Sequence, residues 1–584
     1  MRSIVKQLNT VLSDAEKKQI FGLIVLMFIG GLLELLGVSI VFPLISVVMS
    51  GDSGLLSGST LNGVKLGRYE MIIALAVFMM IIYVLKNLYL TFMYKRIFLF
   101  IKRGLVNTSD RMFSLFIKAP YDIFMERDSA ELERIVRSDV EGMYKVLKPL
   151  LQIISEIMIC AILGILLFLT NWQMSLFMVL FIGIIDGFFI LRSKKMVSKL
   201  GDEDIEARTL MMRDVMSAFG GIKELKILGT EDYFTDLYSF DRRHAADCEE
   251  KQQFYIQLPR LLTETLCIIA LMVTMVVLTL SGTDINTMIP VFAVFAVAAF
   301  RLLPSVGKIN GFINEIAFYR PALDSLCREI DTIRSFENDI KEIDHEENGV
   351  GTEKLDFEHI VFNKVCFRYN SGPEILKDVD LEINRGETIG IIGRSGAGKT
   401  TMVDLLMGLL SASSGEICVN DKNIDSMRKT WMMSIGYVPQ DIYLANASVM
   451  ENVAFGRECD ETDRERVSEV LEMAQAADFV EKLENGMDTV IGERGIRLSG
   501  GQRQRLGIAR ALYRRPEVLI FDEATSSLDN KTEEDFLRAV RGLKGTHTMI
   551  LIAHRMETLS GCDRIYEVTD GKVLEVADPE GVRP

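Results

Sequence analysis

The segment 393-GRSGAGKT-400 sets three glycines, a lysine and a threonine at the spacing G-x-x-x-x-G-K-[ST]. Gly393, Gly396 and Gly398 let backbone N–H groups curl around phosphate oxygens, Lys399 has the length to reach β and γ phosphates, and Thr400 offers a hydroxyl to Mg²⁺. Ser395 and Thr401 belong to the same set of nucleotide contacts. A chance glycine-rich turn would share the composition. It would lack the strand-like 388-TIGIIG-393 before it and the helical 401-TMVDLLMGLL-410 after it, whose N-terminal dipole favours an anion. A second apolar run, 518-VLIFDE-523, ends in two carboxylates. Asp522 is suited to hold Mg²⁺ through water and Glu523 to polarise an attacking water, the bland alternative being two acids that cap a strand. In 498-LSGGQ-502, Ser499, Gly500, Gly501 and Gln502 stand at the start of the helix-like QRLGIARALY. That is a further anion site, and it cannot share a phosphate already held by the first loop, so a second nucleotide-facing surface is implied.

These segments need a scaffold, and from Leu355 onward short β-rich runs such as 388-TIGIIG-393, 518-VLIFDE-523 and 549-MILIA-553 alternate with helical stretches. The alternation predicts an α/β domain over 355–584 with a largely parallel sheet. The charged segment 336–354 has no sustained apolar face and reads as a linker. Ahead of it lies an all-α region, 1–335, with apolar stretches near 20–49, 71–95, 147–169, 173–191, 261–281 and 287–306, each long enough to cross roughly 30 Å of hydrocarbon. Composition agrees: with 49% of residues hydrophobic and a mean hydropathy of +0.23, the chain is too apolar for a disordered chain or an ordinary soluble protein of this size. The net charge of −15 argues against a basic nucleic-acid surface, and eight cysteines without a C-x-x-C pair argue against a disulfide or zinc scaffold. No signal-peptide cleavage pattern is visible at the N-terminus. Lys and Arg gather before the first span and after the second and fourth, which predicts both termini in the cytoplasm of a multi-pass inner-membrane protein. The two long cytoplasmic connections read as continuing membrane helices, one broken at Ala119-Pro120-Tyr121 and the other at Gly229-Thr230-Glu231-Asp232, with a short crosswise helix expected at each tip.

With LSGGQ lying between GRSGAGKT and VLIFDE, the chain resembles the ABC transporter family over essentially its whole length. The resemblance implies a six-helix membrane domain followed by a RecA-like P-loop domain with a helical subdomain, ATP and Mg²⁺ as cofactors, and hydrolysis coupled to export. It also implies roles: Tyr369 stacking on adenine, Gln440 of YVPQ touching metal and water, 492-GERG-495 as the exporter x-loop, Asp529 in the D-loop, and His554 contacting the γ-phosphate. Taken bare, Tyr369 would be a core aromatic and His554 a structural histidine. Six spans ahead of one ATPase module resemble a half-transporter completed by a second copy, a homodimer in which LSGGQ of one subunit faces the phosphate loop of the other. The breaks near Pro120 and Gly229 fall at the family's coupling helices.

Charges inside the spans bear on cargo. Lys86 and Arg301 lie roughly 21 to 23 Å below the outer ends of their spans at 1.5 Å per residue, and Arg260 opens the fifth span from the cytoplasmic side. Intramembrane charge suggests a ligand cavity. The bland readings are snorkelling, an Arg260–Glu264 pair, or partners in Glu156 and Asp186. A basic cavity at inner-leaflet depth suits an anionic head group, and the chain is similar to bacterial lipid-linked oligosaccharide flippases of protein glycosylation, including the polar loop 50–69. The expected cargo is therefore a polyprenyl-pyrophosphate-linked oligosaccharide. Export of another lipid, drug or peptide is the alternative, and a non-hydrolytic ATP-gated channel is the reading from another class.

Overall fold

A computed structural model describes residues 2–39, 60–61, 64–65, 68–125, 127–170, 172–280, 285–347, 355, 357–369, 372–457, 460–492, 495–524, 530–553 and 556–576. The first half is helical: α1 (Arg2–Val11), α2 (Asp14–Ser39), α3 (Arg68–Lys118), α4 (Tyr121–Met125), α5 (Val140–Thr170), α6 (Trp172–Gly220), α7 (Ile222–Leu228), α8 (Glu231–Leu280) and α9 (Ile285–Glu347). Two two-residue strands, β1 (Thr60–Leu61) and β2 (Val64–Lys65), pair within the polar loop that follows the first span.

Local chemistry accounts for the helix ends. Ser13 precedes α2 in a reciprocal cap: its backbone N–H donates to Glu16 Oε2 at 2.9 Å, and the Glu16 N–H donates to Ser13 Oγ at 3.3 Å. Pro120 stops α3, and Gly229, at φ 62°, closes α7 in the left-handed conformation. The short helices expected at the loop tips are α4 and α7. At 51 residues, α3 is about 77 Å long at 1.5 Å per residue, far longer than a bilayer crossing, so its charged C-terminal half runs on beyond the apolar one.

Five helices among the described residues are long and apolar enough to cross a membrane, within Asp14–Gly37, Ile72–Lys118, Ser129–Leu169, Trp172–Gly220 and Glu231–Val276. The third and fourth expected spans are separate helices, ending at Thr170 and starting at Trp172. The stretch 287–306 is helical within α9, but the side chains of 287–301 lie outside the described residues, as do residues 40–49 of the first expected span. The expected linker 336–354 is helical as far as Glu347, where α9 ends. Charged residues at helix-compatible spacing carry no apolar stripe, yet form helix when they extend one already nucleated.

The second half carries a six-stranded sheet in the order β12-β11-β5-β10-β9-β8, from β5 (Thr388–Gly393), β8 (Ile435–Val438), β9 (Val518–Asp522), β10 (Thr548–Ile552), β11 (Arg564–Thr569) and β12 (Lys572–Glu575). All neighbours are parallel except β11 and β12. A four-stranded antiparallel sheet joins β3 (His359–Arg368), β4 (Glu374–Asn384), β6 (Ser414–Val419) and β7 (Lys422–Asn423). β9 and β10 are buried at every position, as their unbroken apolar runs require. The chain divides into two compact units, Met1–Ala119 with Glu126–Ser335, and Pro120–Met125 with Phe336–Pro584. The tip helix α4 thus belongs by its contacts to the unit that holds the parallel sheet.

A candidate nucleotide site and a lysine-lined cavity

The phosphate loop leaves the end of β5 and enters α10 (Lys399–Leu406). Gly393 is required by close approach, since a Cβ there would lie 2.5 Å from the Val568 carbonyl oxygen. Gly398, at φ 105°, serves as the N-cap of α10 in a conformation that other residues rarely adopt. Lys399 is buried, and its Nζ donates to the carbonyls of Gly393 at 2.9 Å and Arg394 at 3.3 Å and lies 3.6 Å from Glu523 Oε1. The lysine, the loop and the end of β9 are therefore one cluster. Ser395, Gly396 and Thr400 are exposed and reachable. Thr401 is buried, and its hydroxyl shares a 3.1 Å hydrogen bond with the Tyr369 hydroxyl. Tyr369 also meets Phe367 edge-on at 4.8 Å, so its ring is partly packed.

Asp522 is the last residue of β9 and is buried. Glu523 follows at φ 48°, with its N–H donating to the Ile552 carbonyl at 3.0 Å. A glutamate in the left-handed region is uncommon, and strain of this kind concentrates at functional positions. Three neighbours were not singled out by the sequence reading. Tyr437 on β8 donates its hydroxyl to Asp522 Oδ2 at 3.3 Å. Asp404 sits buried on α10, where burial and the charge of Asp522 push its carboxyl up to about 6. Tyr121 of α4 lies within electrostatic reach of Asp404 and Tyr369, and burial raises its hydroxyl. Signals for two of them existed: Tyr437 opens the YVPQ motif, and Asp404 is the one charge within the apolar run 401-TMVDLLMGLL-410.

Gln440 stands exposed on the bend after β8. Ser499 caps α12 (Gly500–Tyr513), taking the Gln502 N–H at 3.3 Å while its own N–H donates to Gln502 Oε1 at 2.8 Å. That helix packs on α11 (Glu461–Met473), and among the described residues no hydrogen bond joins Ser499, Gly500, Gly501 or Gln502 to the phosphate loop. Asp529, His554 and residues 493–494 of the x-loop segment lie outside the described residues.

The donor set fits MgATP. A glycine loop at a helix N-terminus, a lysine directed into it and two or three clustered carboxylates supply backbone N–H groups and positive charge for phosphates and oxygen ligands for a hard cation. When bound, the metal neutralises charge on the β and γ phosphates, and Thr400, Asp522 and Gln440 are the residues that would hold it.

In the helical unit, Lys86 and Arg260 stand in different surroundings. Lys86 is buried and ion-paired to Glu34 of α2 at 3.3 Å, with its ammonium 4.4 Å from the centre of the Tyr83 ring. A carboxylate 52 positions earlier, rather than Glu156 or Asp186, faces its ammonium. Arg260 is exposed, with its stem against Gly307 of α9. The side chain of Arg301 lies outside the described residues. A different basic site is present: a cavity of ≈ 730 Å³ among α3, α5 and α9, lined in part by Lys95, Lys102, Lys308, Tyr94, Phe98 and Glu156. Lys308 pairs with Glu156 at 3.0 Å, while Lys95 and Lys102 are exposed.

Comparison with known proteins adds to this geometry. Residues 376–526 match the family model described as ABC transporter. The ATP-dependent lipid A-core flippase of Ralstonia nicotianae is 31% identical over 475 residues, covering 81% of this chain and 78% of the relative. The mitochondrial iron-sulfur clusters transporter ATM1 of Saccharomyces cerevisiae is 42% identical over 223 residues, 37% of this chain and 31% of the relative. Among solved structures, a bacterial Atm1-family ABC exporter with ATP bound superposes at a TM-score of 0.78 with 21% identity, covering 96% of this chain and 95% of that one.

Proposed function

The chain belongs to the ABC transporter family as an exporter-type half-transporter that couples ATP hydrolysis to transport, and we propose that its cargo is an amphipathic anionic lipid moved from the cytoplasmic to the outer leaflet. The specific form proposed is a polyprenyl-pyrophosphate-linked oligosaccharide. The observation that carries this reading is the ≈ 730 Å³ cavity, where aromatic and aliphatic walls accompany three lysines and a single glutamate. With Glu156 answered by Lys308, Lys95 and Lys102 leave the cavity net positive, which favours a phosphate-bearing head group whose tail stays among apolar side chains. Arg260 and Arg301 remain proposed contacts along the same route.

In the nucleotide unit, the proposed roles follow from geometry and chemistry together. The loop amides and Lys399 hold phosphate, Glu523 accepts the proton of the attacking water, and Gln440 and His554 orient that water and the γ-phosphate. Lys399 exchanges its loop carbonyls for phosphate oxygens on binding, which frees Glu523 from the 3.6 Å ion pair. Ser499 is exposed at the start of α12, Asp529 joins the LSGGQ segment at the subunit boundary, and a second copy of the chain supplies the phosphate loop they complete, so the working unit is a homodimer. The basic flanks of the spans support an inner-membrane protein with both termini in the cytoplasm.

A second reading, lipid A-core as cargo, is favoured by the Ralstonia relative. Proteoliposomes loaded separately with fluorescent polyprenyl-pyrophosphate sugar and with labelled lipid A-core decide between them. ATP-dependent outward movement of the first, lost in a Lys95→Ala/Lys102→Ala variant that keeps basal ATPase, is the expected result. Movement of lipid A-core alone would transfer the assignment to the second reading, and movement of neither would overturn the anionic-lipid proposal.

A further inference from the structure

The paired cytoplasmic arms of α6 and α8 bring three different ligating side chains together. Glu203 of α6 and His244 and Cys248 of α8 each offer one ligand atom, and these atoms all lie within 4.8 Å of one another. His244 and Cys248 are four residues apart on one helix and so share a face, which turns toward the neighbouring arm. The three sit in the charged halves of their helices, beyond the apolar stretches 173–191 and 261–281.

The position is built rather than loose. Cys248 is 1% exposed and packs in a small apolar cluster with Val197, Leu200, Ala317 and Phe318. Beside it α6 lies directly on α9, since a Cβ on Gly201 would fall 2.0 Å from the Phe318 carbonyl oxygen. His244 is exposed, so the cluster is dry on the sulfur side and open to water on the imidazole side. Glu203 is held near by Lys199 at 3.1 Å, an exposed ion pair that water readily replaces.

We propose that Glu203, His244 and Cys248 bind one zinc-class transition-metal ion that staples α6 to α8, with water as the fourth ligand. Sulfur, imidazole nitrogen and a single carboxylate favour Zn²⁺ or Co²⁺ over Mg²⁺ or Ca²⁺, which require oxygen-rich shells. Three protein ligands and an open position match a tetrahedral ion whose ligand atoms are about 3.4 Å apart, which atoms now within 4.8 Å of one another reach by small side-chain movement. On binding, the Cys248 thiol gives its proton to solvent, its sulfur bonds the metal, and Lys199 releases Glu203. The staple lies on the arm that ends in α7, so it stiffens that arm whatever the cargo is.

The test is Co²⁺ titration of the full-length, detergent-solubilised protein without nucleotide. A thiolate-to-cobalt charge-transfer band with tetrahedral visible bands should saturate at one equivalent per chain and be displaced by Zn²⁺. Cys248→Ser should abolish the charge-transfer band, His244→Ala should weaken Co²⁺ at least tenfold, and Cys562→Ser should leave both unchanged. Basal ATPase reports folding, because none of these residues touches the phosphate loop cluster. If Cys248→Ser does not fold, the exposed His244→Ala decides alone. Absence of the band in the parent, its survival in Cys248→Ser, or undiminished affinity in His244→Ala overturns the site.

Discussion

Glu523 stands at φ 48° between the buried strand β9 and the open phosphate loop, tied by its N–H to Ile552 and by its carboxylate to Lys399. Glutamine has the same length and suffers the same backbone strain, so Glu523→Gln removes the proton acceptor while leaving the loop in place. MgATP binding should persist while phosphate release falls about 100-fold or more, close to 3 kcal/mol of barrier. Near-parental turnover would remove Glu523 from the reaction. Asp404 offers a pH-dependent companion. Its folded-state value of about 6 lies above the ordinary value near 4. The folded protein therefore holds this proton more tightly than the unfolded chain, and the associated stability is full below about pH 4 and lost as pH rises through about 6. Asp404→Asn removes that loss. In EDTA-treated, nucleotide-free protein the variant should be more stable than the parent by roughly 2 kcal/mol at about pH 7.5, and the gap should close toward pH 4. An equal gap at both pH values would show that the carboxyl is not held high.

At the scale of elements, hydropathy and breakers are local properties, and that is why helices α2 to α8, the stops at Pro120 and Gly229, and the parallel strands flanking the phosphate loop were legible in the sequence. What escaped was decided by distant parts of the chain. No local pattern shows that Glu34 meets Lys86, that α9 persists to Glu347, or that Tyr437 reaches Asp522. The site was legible where backbone geometry imposes residue type, as at Gly393 and Gly398, and illegible where only packing gathers ordinary side chains, as at Lys95, Lys102 and Lys308. The Glu34–Lys86 pair gives this distinction a measurable form. With both side chains buried, Lys86→Ala takes away the cation that faces the buried Glu34 carboxylate, a loss of about 3–5 kcal/mol. Lys86→Met combined with Glu34→Leu removes both charges and should recover most of the parental melting temperature in detergent. If the single and double variants melt alike, the pair does not hold α2 to α3.

For the whole molecule, the governing fact is that each chain has one phosphate loop and one LSGGQ helix start, and the described contacts tie them to different surroundings. Lys399 folds onto its own loop and Glu523, whereas Ser499 and Gln502 satisfy each other at the exposed N-terminus of α12. An exposed helix start with inward-bonded side chains leaves its dipole directed at solvent, where a phosphate brought by a second copy would meet it. Hydrolysis should then require two chains, and two different lesions should complement each other. In a heterodimer of Lys399→Ala and Ser499→Arg subunits, both lesions fall in one composite site and the other site is intact. Co-expressed, differently tagged subunits purified as verified heterodimers should hydrolyse ATP well above either mutant homodimer. Ser499→Arg also disturbs the cap of α12, at about 1 kcal/mol, so thermal stability of each homodimer must be followed alongside turnover. If stable heterodimers are as inactive as the two homodimers, then either the two motifs act within one chain or both sites must fire together. Tandem fusions with a single intact site, placed in one half or split across both, separate those outcomes, and only activity confined to the split arrangement supports the trans assembly.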